Sequence, residues 1–195
     1  LRRYCAANGL NRLGTLTYAG EGCHDPRQVR ADVGLFFRRL RDQLGGDPFP
    51  YAWVPEWHKT DHGLHLHFAV GRYVPRSEIV TAWGHGFVHI KLLSGTPAGA
   101  GRWGEARRAA GYLSKYVAKT FTDTDQGKRP RGLHRFDVAE GFAPASMLLR
   151  GVSAADVVRQ ASEVMGGLPA RSWVSGQVDG WQGPPAVWFQ WDGAR

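Results

Sequence analysis

Hydrophobic and polar positions along this chain follow two periods in turn. Residues 13–19 mix β-branched and aromatic side chains and stop at Gly20, which predicts a strand. Pro26 then opens a helix, since its missing N–H costs nothing in a first turn. Val29, Val33, Phe36, Phe37, Leu40 and Leu44 recur at helical spacing, Arg30, Arg38, Arg39 and Arg41 occupy much of the remainder, and Gly45 with Gly46 ends the element. Two short runs, 51–56 and 64–70, read as a hairpin whose loop carries Asp61, His62 and Gly63. A shorter helix starts at Pro75 and runs through Ile79, Val80 and Trp83 to Gly84. The strand predicted at 86–93 sets Phe87, His89 and Lys91 on one face and Val88, Ile90 and Leu92 on the other. Beyond a glycine-rich loop at 94–101, the pattern predicts a helix over 105–120, a polar loop over 122–130 and a last core strand over 133–138. Ser153 and Asp156 begin a capping-box-like helix through Val157, Val158, Ala161 and Met165. The tail after Gly167 holds four of the eight tryptophans, which argues that it is ordered.

Two strands joined as a hairpin between two helices predict an α+β fold. A central antiparallel sheet carries helices on one face, in the ferredoxin-like or RRM-like manner, followed by a C-terminal helix and a Trp-rich tail. The expected division is a core over 1–142 and a helical, Trp/Pro/Gly-rich extension over 143–195 packed on it. At 195 residues the chain is long enough to bury a substantial core, and 43% hydrophobic content is that of a globular protein. A net charge of +8 points to a polyanionic partner, nucleic acid above all. Cys5 and Cys23 make no disulfide framework and match no zinc spacing, which suits reduced thiols and a cytoplasmic setting. No apolar run approaches the roughly 18 residues that span a bilayer, so no membrane partner is expected. A start at Leu1 rather than Met suggests a piece of something longer. Gly99 and Gly104 have the spacing of a phosphate-cradling loop, but Glu105 stands where Lys is required, which excludes an ATPase of that type.

The chemistry gathers at His65-Leu66-His67. On a strand both imidazoles emerge on one face and Leu66 and Phe68 on the other. Glu56, in the preceding run, supplies a hard oxygen ligand if the two runs pair. Two histidines and a carboxylate with open positions suit a metal that also contacts substrate. The plainer alternative is two polar residues on a half-exposed strand. Pro55 is expected to disturb pairing beside Glu56. His58, His62, His85 and His89 read as structural histidines, although His62 has a place beside the site.

A second cluster lies on the helix predicted at 105–120. Tyr112 and Tyr116 are four apart and share a face, and each is followed three residues later by a lysine, Lys115 and Lys119. A phenol with a pKa of about 10 is a weak nucleophile at neutral pH unless a nearby cation stabilises phenolate or the electrophile is polarised. The competing explanation is an amphipathic helix with core tyrosines and outward lysines. Between Arg102 and Arg135 nine basic residues stand against three acidic ones; Arg102, Arg107, Arg108, Lys128, Arg129 and Arg131 are the candidate DNA contacts. Trp57 and Trp103 are candidates to stack bases.

Taken together, Thr15-Leu16-Thr17-Tyr18, His65-Leu66-His67 and Tyr112-Leu113-Ser114-Lys115-Tyr116-Val117-Ala118-Lys119 resemble, in order and spacing, the three motifs of HUH endonucleases. They are most similar to the rolling-circle replication initiators of plasmids and small phages. The paired tyrosines resemble those of the φX-type phage initiator, and residues 135–142 resemble initiators of actinobacterial plasmids and integrating elements. The resemblance implies an origin nickase. His65, His67 and Glu56 would hold Mg²⁺ or Mn²⁺, and Tyr116, with Tyr112 as partner, would attack a phosphate of single-stranded or hairpin origin DNA and form a 5′-phosphotyrosine link. Lys115 and Lys119 would neutralise phosphate charge or tune the phenols, and a host helicase and polymerase would complete replication. The rivals are a non-catalytic RRM-like nucleic-acid binder, an HUH relaxase or transposase, and a zinc hydrolase.

Overall fold

Segments with a two-residue burial period become a five-stranded antiparallel sheet in the computed structural model. The structure describes residues 1–92, 101–122 and 134–191, without the side chains of 92, 101–103, 105 and 116–122. After α1 (Arg2–Ala7) come β1 (Arg12–Tyr18), α2 (Pro26–Gln43), β2 (Tyr51–Trp57), β3 (Leu64–Val70), α3 (Arg76–Trp83), β4 (Gly86–Leu92), α4 (Gly101–Thr122) and β5 (Asp137–Val138). The strand order is β4-β1-β3-β2-β5, every neighbouring pair antiparallel. From β1 to β4 this is a split βαββαβ unit, and the fold class is the α+β one that the sequence pattern indicates.

Strand alternation divides the sheet into two faces, each with its own core. On one, Leu16, Tyr18, Trp53, Leu66, Phe68 and Val88 pack under α2 (Val29, Val33, Phe36, Phe37, Leu40) and α3 (Ile79, Ala82, Trp83). Most of these side chains are almost fully buried, each contributing about 1.5–3 kcal/mol. Pro26 and the Asp25 carboxylate, which accepts from the Arg27 N–H at 2.8 Å, start α2 as a proline-opened, capped helix. Gly14 sits opposite Phe68, and any Cβ there would run into the ring. On the other face Leu13, Ala52, Val54 and Ala69 meet Tyr4, Cys5 and Leu10 from the N-terminal segment and Ala109, Ala110 and Leu113 from α4. The small alanines let the helix approach the sheet closely.

Several details depart from the pattern-based expectation. The two connecting helices do lie on one face, but α1 and α4 occupy the other, so the sheet is flanked on both sides. Nothing in the sequence reading anticipated α1. The last core strand shrinks to Asp137 and Val138, which pair with Trp53 and Ala52. Pro55 does not disturb the β2–β3 ladder: it stands opposite Leu66 and the pairing continues through Trp57. The reason is parity. The His58 N–H, three residues on, donates across to Gly63 O at 2.8 Å, so odd-numbered positions of β2 aim their nitrogens away from β3. On that side β5 reaches only Ala52 and Trp53, and Pro55 leaves no donor missing from a ladder.

By its internal packing the chain forms two units, Leu1–Pro144 and Ala145–Arg195. The second contains α5 (Ala154–Met165), with the Ser153 hydroxyl accepting from the Asp156 N–H at 3.2 Å and Gly166 closing the helix in the left-handed region. It also contains an antiparallel pair, β6 (Arg171–Val174) and β7 (Val187–Gln190), that the sequence reading left as tail. Trp173 and Trp181 meet edge to face, and the Trp191 indole donates to Gly167 O at 2.7 Å. Among the described residues no helix is long and apolar enough to cross a membrane.

Candidate metal centre

β3 is the middle strand of the sheet, bonded to β1 on one side and β2 on the other, and it delivers His65 and His67 to the face on which α4 packs. In the β2–β3 register Glu56 lies directly opposite His65. The Glu56 Oε2 atom is 3.0 Å from His65 Nε2 and 2.8 Å from His67 Nε2, and the two Nε2 atoms are 3.0 Å apart. Among the described residues this is the only group of three or more His, Cys, Asp or Glu side chains that converge to hold a cation. The side chains are 17%, 12% and 10% exposed for Glu56, His65 and His67, enough to leave the triad open on one side while shielding it from bulk water.

The donor set fits a divalent ion. Two imidazole nitrogens and one carboxylate oxygen form a near-equilateral triangle. For metal–ligand bonds of about 2.1 Å, sides of about 3.0 Å correspond to angles near 90°, the spacing of three ligands on one face of an octahedron. A tetrahedral site with the same bonds would separate its donors by about 3.4 Å.

Neighbours hold the triad in place. Thr15, across β1 from His67, brings its hydroxyl to 3.2 Å from His67 Nδ1. A proton on Nδ1, donated to that hydroxyl, leaves Nε2 with its lone pair facing the centre. The sequence reading quoted Thr15 within a motif but gave it no role; only the cross-strand register reveals the contact. The hairpin loop is fastened to the segment after β1. The Leu64 N–H donates to Cys23 O at 2.7 Å, and His62 Nε2 lies 2.9 Å from Tyr18 O. Gly63 adopts φ +73°, and a Cβ there would collide with the Cys23 backbone. His58 stands edge-on to His65 with ring centres 5.3 Å apart, while its Nδ1 accepts from the Thr60 N–H. None of His58, His62, His85 or His89 joins the converging triad.

Tyr112 and Lys115 lie exposed on α4, the helix that packs over β2, β3 and β1. Arg107 and Arg108 are exposed on the same helix. Tyr116, Lys119 and Arg102 belong to α4, with side chains outside those described, as is that of Trp103; Lys128, Arg129 and Arg131 lie outside the described residues. Trp57 is half-buried at the end of β2, its ring 6.2 Å from that of His24.

No curated protein and no solved structure matches the chain. The family model described as replication-associated protein ORF2 matches residues 11–121, from the start of β1 almost to the end of α4, and so takes in the triad and both tyrosines. With more than half of its length matched, the chain belongs to this family of ORF2-type replication-associated proteins.

Proposed function

We propose that this protein is a metal-dependent, site-specific nickase and strand transferase for single-stranded DNA, of the HUH type, which starts rolling-circle replication. The observation that carries this reading is the convergence of Glu56, His65 and His67 within 3.0 Å on the sheet face packed by the helix that bears Tyr112 and Tyr116. Membership of a replication-associated family and a charge of +8 support DNA as the substrate.

Glu56, His65 and His67 hold Mg²⁺ or Mn²⁺ in this reading, and the octahedral spacing of the donors favours these ions over tetrahedral zinc. When bound, the ion supplies Lewis-acid polarisation of a non-bridging oxygen of the scissile phosphate. The Tyr116 phenol oxygen attacks phosphorus, the P–O3′ bond breaks, and the 3′-hydroxyl leaves with a proton. The 5′ side stays on the protein as a phosphotyrosine ester, so the bond energy is kept for rejoining. Tyr112, one helical turn earlier and 43% exposed, takes the second transfer that releases the displaced strand. Lys115 and Lys119 offset phosphate charge, with Arg102, Arg107, Arg108, Lys128, Arg129 and Arg131 guiding the strand. The free 3′-hydroxyl then primes a polymerase.

The test uses candidate single-stranded origin oligonucleotides with Mn²⁺ and a gel shift that survives denaturation. The wild type is expected to form a metal-dependent adduct that Tyr116→Phe and His65→Ala lose. Adducts lost only in the Tyr112/Tyr116 double mutant would mean that either tyrosine attacks. Tight binding with no adduct, indifferent to EDTA, would return the chain to the RRM-like binder.

A further inference from the structure

The site face continues past the triad to the edge of the sheet. Directly opposed residues on neighbouring strands share a face, so the registers define rows across it. One row runs Glu56, His65, Thr17, Phe87 and the next runs Val54, His67, Thr15, His89. Lys91, opposite Leu13, follows on the same side of β4. β4 is an edge strand, two strand spacings or about 10 Å from β3. Phe87 is 70% exposed there, and His89 and Lys91 are exposed beside it. Thr15 and Thr17 are half-exposed between them and the histidines. The opposite side of β4 behaves conventionally: Val88 is buried and Ile90 packs against the core.

An exposed phenylalanine on a strand is ordinary when solitary. This one stands in line with the metal ligands, and its neighbours at two-residue spacing are an imidazole and an ammonium rather than apolar groups. That sequence of a π-face, a hydrogen-bonding ring and a cation matches a polyanion whose monomers have π-faces. It does not match an apolar protein surface, which would want Phe87 surrounded by other hydrophobic residues.

We infer that Phe87, His89 and Lys91 form a single-stranded DNA platform continuous with the candidate metal centre. It holds the nucleotides on one flank of the scissile phosphate, with a base stacked on Phe87 and a phosphate against Lys91. Stacking of this kind is tolerant of sequence, since every base offers a π-face. The inference rests on the DNA-nicking reading of the same face and adds the direction in which the strand leaves the triad, toward the β4 edge.

The experiment measures fluorescence anisotropy of labelled oligo(dT) in EDTA, beside an abasic sugar–phosphate oligomer of equal length. Phe87→Ala is expected to weaken oligo(dT) binding by about five- to a hundredfold and leave the abasic oligomer unchanged. Phe87→Trp restores the base-dependent difference. Lys91→Ala weakens both ligands and reduces the salt slope by about 0.7. Wild-type affinity of Phe87→Ala for oligo(dT), or an equal loss for both ligands, overturns the platform. So does a change in self-association by sedimentation with oligo(dT) affinity intact, which would give the face to a second copy. The adduct assay separates the two readings. A wild type that forms no adduct yet shows the Phe87 effect refutes nicking alone, whereas normal adducts with no Phe87 effect refute the platform alone.

Discussion

Replacing Thr15 by valine isolates the contact that sets the tautomer of His67. Metal binding requires His67 Nε2 without its proton, so the proton must sit on Nδ1, where the Thr15 hydroxyl lies 3.2 Å away. Valine keeps the shape and the strand preference of threonine but offers no acceptor. Removing one partner from a polar group whose side chain is only 10% exposed costs about 1–3 kcal/mol. The contact is at the long end of N–H···O hydrogen bonds, which favours the lower part of that range. At 1.4 kcal/mol per decade the expected result is an affinity for Mn²⁺ about tenfold weaker, within the ten- to hundredfold known for outer-sphere partners. The metal-free protein escapes this cost, because His67 can then carry its proton on Nε2 beside Glu56 Oε2 at 2.8 Å. Thr15→Val should therefore unfold at the wild-type temperature in EDTA and lose only the metal-dependent part. Titration calorimetry with Mn²⁺ on wild type, Thr15→Val and Thr15→Ser measures it, with Ser expected to retain most of the affinity. Identical Mn²⁺ affinity in wild type and Thr15→Val would refute the argument.

Three further expectations concern the same scaffold. Saturating Mn²⁺ at a hundred times its dissociation constant should raise stability by about 2.7 kcal/mol, and His65→Ala or Glu56→Gln should abolish that increment in thermal scans with and without EDTA. Gly14→Ala should lower the urea midpoint by an amount equivalent to about 1–3 kcal/mol, because the new methyl meets the Phe68 ring from a strand buried on both sides; an unchanged midpoint would show that the ring moves freely. Alkaline pH should destabilise the fold. Burial, then the hydrogen bond to Asp32, pushes the Tyr18 phenol up; burial likewise raises Tyr4, and lifts the Cys5 thiol to about 11. Each group holds its proton more tightly folded than unfolded, so stability is flat below about pH 9 and falls as the unfolded chain ionises above it. Denaturant melts at pH 8 and above 10 test the slope, which Tyr4→Phe and Cys5→Ala should flatten.

What the sequence disclosed, and what it withheld, follows from which interactions are local. The triad was legible because a two-residue period puts His65 and His67 on one face whatever else the chain does. Glu56 needed only a hairpin in which β2 and β3 pair, and the loop carrying Gly63 supplied it. Thr15 was illegible as a positioning group, since its partner is 52 residues away and depends on the β1–β3 register. α1 is six residues long and too short to establish a helical period; it exists because Tyr4 and Cys5 find the second core and the Tyr4 hydroxyl donates to Ala139 O at 2.9 Å. β5 is two residues defined by a partner strand rather than by a pattern of its own. The β6–β7 pair was hidden for a related reason, as its four-residue strands carry too few alternations to stand out from a tail rich in Gly and Pro.

The triad also has a meaning for how the chain reaches this fold. Its members come from two strands, and the group that orients one of them comes from a third. A slip of one residue between β2 and β3 would turn Glu56 to the face opposite the histidines, and a slip of β1 would take Thr15 away from His67. The centre therefore works as a checksum on three strands at once: it is complete in one alignment and absent from its neighbours. A cation that binds only the complete set lowers the free energy of that alignment and of no other. Errors of pairing in the sheet and errors in the chemistry are thus one event, and a misaligned chain has no centre with which to cut DNA.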